Sequence, residues 1–291
     1  MFDTLCVIGV GLIGGSVARA ARQHQLCKKI TGYGRESDRS NLQTARDLGV
    51  IDDYFLDIGE AVCDADCVLI ATPVGAIESV LTLIKPFWND KTIYSDVGST
   101  KSNVFAAAER IFGFIPQNLV PAHPIAGAEQ SGVTAAVDNL FANKRLIITP
   151  DKQTDVEAVR KIRAFWERIG AHVVAMDADH HDAILAATSH LPHIVAFAMV
   201  DMLGHKDEKS EIFQYAAGGF RDFTRIASSD PTMWLDICVA NKNEIIPLIE
   251  QLKDELSKIE SFLHHNDTEQ LFNTFTYAGK ARQRFLDLFE N

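Results

Sequence analysis

The sequence predicts an α/β protein with a doubly wound, mostly parallel sheet, followed by an all-helical domain. From residue 4 to about 177, short apolar runs alternate with helix-length segments, as expected when buried strands are joined by helical crossovers. After about Asp177 the apolar runs stop, and the remainder has the 3.6-residue period of helices. A glycine turn also separates the first run from the first helix. We therefore expect two domains, residues 1–177 and 178–291.

The expected elements follow one another along the chain. The strands are expected at residues 5–8, 29–33, 67–71, 92–96, 119–122, 145–148 and 172–175. Helices are expected at residues 17–23, 41–48 and 156–169, and in the carboxyl-terminal part a helix should begin at Asp230-Pro231, with Asp as the N-cap. One further helix has an apolar stripe made of Ile246, Ile249, Leu252, Leu256, Ile259 and Phe262. Stripes this apolar often pack against a second subunit, so we expect a homodimer formed through the carboxyl-terminal helices.

The composition excludes several classes of partner. The net charge of -11 argues against a nucleic-acid or anionic membrane surface, either of which needs a basic face. No apolar run approaches the roughly 18 residues of a membrane helix. The amino terminus has no basic segment of the signal-peptide type, and the five scattered cysteines suit reduced thiols in a cytoplasmic protein. No cluster of ligands suggests a bound metal. We expect a small-molecule partner, with no nucleic acid and no membrane.

The glycine turn predicts a dinucleotide site. Gly9, Gly11 and Gly14 follow a strand and open a helix that begins near Leu12 and Ile13. The first glycine permits a tight turn, the second lets a pyrophosphate approach the backbone, and the third allows the helix to pack closely on the strand. Free N–H groups at the helix start hold the phosphates. The sequence therefore predicts a Rossmann-type fold that binds NAD or NADP.

The choice between these two cofactors is made at the end of the second strand. A carboxylate about 20 residues after the turn usually accepts a hydrogen bond from the adenosine ribose 2′-hydroxyl. Here Gly34 and Arg35 occupy that position, so a guanidinium is available to pair with a 2′-phosphate. We expect a preference for NADP. The alternatives are that Arg35 only stacks on adenine and both cofactors are used, or that Glu36 or Asp38 reaches the ribose.

Another expected strand ends in a segment that belongs to the same site. Thr72 and Pro73 follow this strand, and in a doubly wound sheet the ligand lies beyond the carboxyl ends of the strands. We expect both residues to border the cofactor. The alternative is a proline that only ends the strand.

Polar residues after two later strands suggest the oxidation of a hydroxyl group. His123 follows an apolar run, and a histidine suits the removal of a hydroxyl proton as hydride leaves, because its pKa lies near neutral pH. Ser99 also follows a strand; it suits a hydrogen bond to the same hydroxyl or to the nicotinamide amide, or a helix cap. Arg225 and Arg221 suit bidentate binding of a carboxylate, unless they only pair with the nearby Asp222.

Taken together, five motifs resemble those of the prephenate/arogenate dehydrogenase family of tyrosine biosynthesis. They are Gly-x-Gly-x-x-Gly, Asp96-x-Gly-Ser-x-Lys101, His123-Pro-Ile-Ala-Gly, Ser189-His-Leu-Pro-His193 and Gly-Gly-Phe-Arg-Asp-Phe-Thr-Arg225, in the family's order and within residues 9–234. The resemblance implies oxidative decarboxylation of prephenate to 4-hydroxyphenylpyruvate, with hydride passing to NAD(P). Arogenate in place of prephenate would give tyrosine.

The resemblance also implies roles for particular residues. His123 is the residue that accepts the hydroxyl proton, and Ser99 bonds the same oxygen or the cofactor. The residues assigned to substrate binding are Arg225, His193, Ser189, Gly218, Trp234, Glu129 and Asp222. The sequence departs from the family at Gly34-Arg35, where an acidic residue is common, which again indicates NADP.

Three alternatives remain at this point. The first is an arogenate or dual-substrate cyclohexadienyl dehydrogenase. The second is a 3-hydroxy acid or imine enzyme of similar two-domain architecture, which would place a proton-transferring lysine in the helical domain. The third is a dinucleotide-sensing protein without catalysis, which would leave His123 and Arg225 without a purpose.

Overall fold

The computed structural model describes residues 1–128, 130–207 and 211–290. By its internal contacts the chain separates into two compact units, Met1–Lys242 and Asn243–Asn291. The first unit contains every sheet and the helices around it, and the second contains most of the last two helices.

The first unit is built on a six-stranded parallel sheet. Its strands are β1 (Phe2–Ile8), β2 (Cys27–Tyr33), β3 (Asp53–Phe55), β4 (Cys67–Ile70), β5 (Ile93–Asp96) and β6 (Leu119–Val120), in the order β3-β2-β1-β4-β5-β6. The helices between them are α1 (Leu12–Gln23), α2 (Arg39–Asp47), α3 (Ile58–Val62), α4 (Ile77–Ile84) and α5 (Ser102–Phe112). The predicted doubly wound α/β fold is confirmed. Strand β3 was not predicted, because three half-buried residues make too short an apolar run to recognise.

Both faces of this sheet are covered. In β1, Leu5 and Val7 belong to one buried cluster, whereas Cys6 and Ile8 belong to another. Successive side chains of a strand point to opposite faces, so the two clusters lie on the two sides of the sheet. This explains why the strands are apolar throughout instead of alternating with polar residues.

A second sheet begins where a single strand was predicted over residues 119–122. Strand β6 ends at Val120, and β7 (Ala122–Pro124) pairs antiparallel with β8 (Arg145–Ile148), which pairs parallel with β9 (His172–Ala175). Pro121 stands between β6 and β7 and has no N–H for a strand ladder, which suits a change of sheet at this point. The expectation of one continuous strand was wrong, and His123 lies within β7 rather than after a strand. Helix α6 (Val156–Arg168) connects β8 to β9.

The remainder of the first unit is helical. It contains α7 (Ala178–Leu185), a π-helical turn (Ala186–His190), α8 (Leu191–Lys206), α9 (Glu211–Gln214), α10 (Gly218–Thr224), a 3₁₀ turn (Arg225–Ser228) and α11 (Pro231–Ala240). The predicted start of α11 is confirmed, since the Asp230 carboxylate accepts a hydrogen bond from Met233 N at 2.8 Å.

The helical stretch Ala178–Lys206 is long and apolar enough, by length and composition alone, to cross a membrane. This stretch was not predicted as a membrane helix, because polar residues interrupt its apolar runs. Core helices of soluble proteins pass the same test. This stretch also buries the polar side chains of His181, Asp182 and His190, which contact other parts of the first unit.

The second unit consists of two long helices, α12 (Lys242–His264, whose first residue belongs to the first unit) and α13 (Thr268–Glu290). Large apolar side chains are exposed along both; they are Ile246, Leu256, Leu263, Phe272, Phe275, Tyr277, Phe285 and Leu288. The predicted stripe on α12 is therefore present, and part of it faces outward in the single chain.

Candidate active site

The glycine turn between β1 and α1 is closed on one side and open on the other. Gly9 has φ +90°, and a Cβ there would lie 2.7 Å from Ala71 O. A Cβ on Gly14 would lie 2.3 Å from Gly9 O, whereas a Cβ on Gly11 would have no neighbour within 4 Å. Gly9 and Gly14 are thus required by packing. Gly11, the N-cap of α1, leaves the backbone accessible to a ligand beside the helix start.

A cleft of about 580 Å³ lies beside this turn. Its walls are the glycine turn, the end of β2, the segment after β4 with helix α4, and part of α11. Thr72 and Pro73 line the cleft, and the buried Thr72 hydroxyl has no hydrogen-bond partner among the described residues. Leu12 and Ile13 are half-buried at the start of α1. The open glycine turn and the start of α1 suit the phosphates of a dinucleotide, and the Thr72 hydroxyl is available to hydrogen-bond with it.

A carboxylate and a guanidinium face the cleft at the end of β2. The Asp38 carboxylate accepts hydrogen bonds from Arg35 N at 2.9 Å and from Arg35 Nε at 3.3 Å. The Arg35 side chain is 80% exposed. Asp38, which was predicted as an alternative ribose ligand, lines the same cleft as Arg35.

His123 is part of a buried chain of three side chains. His123 Nδ1 lies 2.9 Å from His181 Nε2, and His181 Nδ1 lies 2.8 Å from Asp182 Oδ1. An ionised carboxylate only accepts hydrogen bonds, so His181 carries its proton on Nδ1. In its singly protonated form His181 then accepts at Nε2, and His123 must donate from Nδ1. This leaves the lone pair of His123 Nε2 for a substrate proton.

The end of the chain is fixed by the amino terminus of α5. Asp182 Oδ1 accepts a hydrogen bond from Lys101 N at 2.8 Å, and Asp182 Oδ2 accepts one from Ser102 N at 2.9 Å. These N–H groups and the helix dipole both favour a carboxylate. Burial alone would raise the pKa of Asp182, but hydrogen bonds from His181 and from these N–H groups hold it below its ordinary value.

His181 and Asp182 are the functional residues that the sequence analysis missed. A signal was present in the run Asp177-Ala-Asp-His-His-Asp182, which directly follows the last strand. Such a run is also typical of an exposed helix start, and nothing in the sequence alone brings it to His123.

A buried ion pair joins the two sheets next to His123. Lys101 Nζ contacts the Asp96 carboxylate and donates a hydrogen bond to Ala122 O at 2.8 Å, and Ala122 N donates to Asp96 Oδ1 at 3.2 Å. Both side chains are almost completely buried. Because both residues also hydrogen-bond to Ala122, the pair fixes the position of β7 relative to β5. Removing either partner would leave an uncompensated buried charge.

Burial controls the charge of the histidines. Burial, reinforced by the nearby positive charge of Lys101, holds the pKa of His123 well below its ordinary value. Burial also lowers the pKa of His190 to about 4, against the opposing charge of Asp182. His123 is therefore a neutral acceptor at neutral pH, which is the state that a general base requires.

The helical part of the first unit contains a group of stacked rings around Trp234. The ring of His193 stacks on Trp234 at 3.8 Å between centroids, and His193 Nδ1 donates a hydrogen bond to Ser189 O at 2.8 Å. The Trp234 Nε1 atom is buried without a partner among the described residues. His190 lies 6.0 Å from Trp234 and 3.0 Å from the side-chain nitrogen of Asn241.

The other predicted residues lie as follows. Ser99 is half-buried in the loop after β5, two residues before Lys101. Arg225 begins the 3₁₀ turn, and its charge helps to lower the pKa of His193, after the larger effect of burial. Gly218 and Asp222 are exposed on α10. Glu129 lies outside the described residues. Among the described residues no group of three or more His, Cys, Asp or Glu side chains could hold a metal ion.

Two family models match this chain in succession. The model described as "Prephenate dehydrogenase, nucleotide-binding domain" matches residues 17–175, and "Prephenate dehydrogenase, dimerization domain" matches residues 177–277. The chain belongs to the prephenate dehydrogenase family. Members of this family are NAD(P)-dependent oxidoreductases, which agrees with the glycine turn and the cleft.

Individual relatives agree with this assignment. The chain is 35% identical to cyclohexadienyl dehydrogenase of Zymomonas mobilis, over 97% of this chain and 96% of the relative. It is 38% identical to prephenate dehydrogenase of Bacillus subtilis, over 97% and 76%. The solved prephenate dehydrogenase of Aquifex aeolicus, in complex with hydroxyphenyl propionate and NAD+, superimposes with a TM-score of 0.90 at 32% identity, covering 98% of this chain and 99% of that one. The resemblance inferred from the motifs is confirmed.

The hydrogen-bond chain predicts a specific effect of Asp182→Asn. This change replaces one of the two acceptor oxygens by an NH2 group while three N–H donors remain around it, so the His181 tautomer is no longer fixed and kcat should fall about tenfold or more with little change in substrate KM. In the wild-type enzyme kcat should stay constant between about pH 6.5 and about pH 9, because burial holds the pKa of His123 well below its ordinary value of about 6.5. Steady-state kinetics across this range check both expectations.

Asp179→Asn is the matched control. Its carboxylate accepts a hydrogen bond from Ser102 Oγ at 2.9 Å, at the same helix start, without contact to the histidines. It should keep wild-type kcat. An Asp182→Asn enzyme that is folded by circular dichroism and has wild-type kcat throughout the pH range would contradict the role of the chain.

Proposed function

We propose that this enzyme converts prephenate to 4-hydroxyphenylpyruvate and carbon dioxide, with reduction of NAD(P). The observation that carries the proposal is the Asp182–His181–His123 chain, which presents an unprotonated imidazole nitrogen. The loop after β5 is close to the cleft. A Cβ on Gly98 in this loop would contact Ile77 and Val74, and Val74 begins the 3₁₀ turn after β4. A base in β7 and a dinucleotide cleft at strand ends of the six-stranded sheet suit the oxidation of a hydroxyl group.

The residues have separate roles in the reaction. His123 Nε2 accepts the proton of the ring hydroxyl, and Ser99 donates a hydrogen bond to the same oxygen or bonds the cofactor amide. When bound, the nicotinamide dinucleotide supplies the acceptor for the hydride that leaves the ring carbon. The bond to the ring carboxylate breaks, carbon dioxide leaves, and the bonding electrons complete the aromatic ring. Aromatisation makes this step strongly downhill, so orientation and a base are the main requirements.

Arg225 suits a substrate carboxylate, because its guanidinium forms two parallel hydrogen bonds with such a group. Its charge acts on His193, which stacks on Trp234, so the guanidinium lies near these two rings. Ser189, Gly218, Asp222 and Glu129 complete the proposed set of substrate-binding residues. The solved relative with hydroxyphenyl propionate supports an aryl acid as the ligand.

A second candidate substrate is arogenate, alone or together with prephenate. It is supported by the relative named cyclohexadienyl dehydrogenase, at 35% identity. The two substrates differ by a keto group against an ammonium group. A 3-hydroxy acid is a more distant alternative, which the arrangement of His193 and Arg225 disfavours.

We propose NADP as the preferred cofactor, with Arg35 as the ligand of its 2′-phosphate. Arg35 pairs with Asp38, but the pair is exposed, and exposed pairs contribute about 0–1 kcal/mol. The guanidinium can therefore turn to a phosphate at small cost. Asp38 opposes this choice by its charge, so the balance between the two side chains sets the preference.

The test of this function is a matrix of kcat/KM for prephenate and arogenate with NAD and NADP. We expect turnover of prephenate, a higher value with NADP, and a loss of that advantage in Arg35→Ala. Arg225→Gln should raise substrate KM, and His123→Asn should lower kcat by about 10²-fold or more. Inactivity on both substrates would overturn the proposed reaction, and a higher wild-type value with NAD would overturn the cofactor preference.

We also propose that residues 178–291 hold two copies of the chain together in a cytoplasmic homodimer. The family model named for dimerization covers residues 177–277, and α12 and α13 expose large apolar side chains. Light scattering should give about twice 32.2 kDa. Phe272→Glu should weaken the dimer at least tenfold, since burial of one such side chain contributes about 1.5–3 kcal/mol.

Phe114→Glu is the matched control for the dimer, because Phe114 is also exposed but lies in the α/β part. It should leave the mass unchanged. A monomer at every concentration tested would contradict the dimer, and recovery of the native protein outside the cytoplasmic fraction would contradict the location.

A further inference from the structure

Helix α11 brings a carboxylate to the dinucleotide cleft. Asp236 and Thr232, both on α11, line the cleft together with the glycine turn and the end of β2. Trp234 lies between them in sequence and stacks on His193. Helix α11 therefore lines the cleft with Thr232 and Asp236 and contacts His193 with Trp234.

The contact between α11 and the segment after β4 is close. The Asp236 Oδ2 atom accepts a hydrogen bond from Gly75 N at 3.1 Å, and a Cβ on Gly75 would lie 2.6–2.8 Å from three atoms of this carboxylate. Val74, Trp234 and Ile237 form a small buried cluster beside it. Glycine at position 75 is thus what allows the carboxylate to sit against the backbone at the edge of the cleft.

The carboxylate has acceptor capacity left over. Two carboxylate oxygens offer about four lone-pair positions. Among the described residues, the hydrogen bond from Gly75 N is the one made to the Asp236 side chain. The residue is half-buried in the cleft wall, so its position is fixed and its remaining lone pairs are available to a ligand.

We propose that Asp236 is a cofactor-binding residue, whose carboxylate accepts a hydrogen bond from a ribose hydroxyl or an amine of the bound dinucleotide. Hydrogen bonds to a charged acceptor are about twice as strong as neutral ones. The inference rests on the use of a nicotinamide dinucleotide and not on the choice of substrate. It assigns part of the cofactor site to a helix outside the six-stranded sheet and its crossovers.

The test measures binding of NADH and NADPH to the purified full chain by fluorescence, without substrate. Asp236→Asn should weaken binding of the preferred cofactor about tenfold or more, the usual effect of a hydrogen bond to a charged group. The amide oxygen can still accept from Gly75 N, so the packing of α11 is kept. Gly75→Ala, whose added methyl group displaces the carboxylate, should weaken binding to a similar extent.

Glu78→Gln is the control, since Glu78 lies on the neighbouring helix α4 and pairs with Arg110 at 2.7 Å outside the cleft lining. It should bind both cofactors as the wild type does. Competition with AMP and with nicotinamide mononucleotide separates the two sources of the donor. If Asp236→Asn binds AMP more weakly than the wild type does, the donor lies in the adenosine half of the dinucleotide. If it binds nicotinamide mononucleotide more weakly, the donor lies in the nicotinamide half. Both results support the proposal.

A purely structural Asp236 would behave differently. In that case Asp236→Leu would lower the melting temperature, while Asp236→Asn would bind NADH and NADPH within about twofold of wild type. That result would overturn the proposal. Because no prephenate is present, a failure here is distinct from a failure of the proposed reaction.

Discussion

The capture of the Asp182 carboxylate by the amino terminus of α5 is the interaction on which the site depends. Two backbone N–H groups hold one side chain from α7, and the same side chain accepts a hydrogen bond from His181. The position of His181 therefore follows from the sheet that carries α5. The orientation of His123 follows from His181 in turn. The packing of α5 against α7 therefore determines, through Asp182 and His181, that His123 Nε2 is unprotonated.

The rest of the architecture connects this histidine to the cleft. The buried Lys101–Asp96 pair joins the loop after β5 to β7, the strand that contains His123. The loop adjoins the segment after β4, and that segment lines the cleft. Helix α11 contacts the same segment through Asp236. The dinucleotide cleft thus lies at strand ends of the six-stranded sheet, as expected for doubly wound folds, and the histidine lies in β7 of the second sheet, which the Lys101–Asp96 pair joins to the first.

The sequence predicted those parts of the molecule that depend on local pattern. The alternation of apolar runs and helices, the glycine turn and the Asp230 cap all depend on residues close together in the chain, and each is present. The change of sheet at Pro121 was missed, because an apolar run does not show which strand it will pair with. His181 and Asp182 were missed because their role depends on a contact with Lys101, about 80 residues earlier. Arg35 and Asp38 were both recognised, but their pairing across three residues was not predicted, although it is a local contact.

The central claim is that Asp182 and His181 fix the tautomer of His123, and nitrogen NMR of the imidazole tests it most directly. In full-length enzyme with ¹⁵N-labelled histidine, the signals of His123 are assigned by their loss in His123→Asn. At about pH 7 we predict a protonated Nδ1 and an unprotonated Nε2, with the two forms mixing in Asp182→Asn. A wild-type His123 protonated at Nε2, or charged on both nitrogens, would contradict the account.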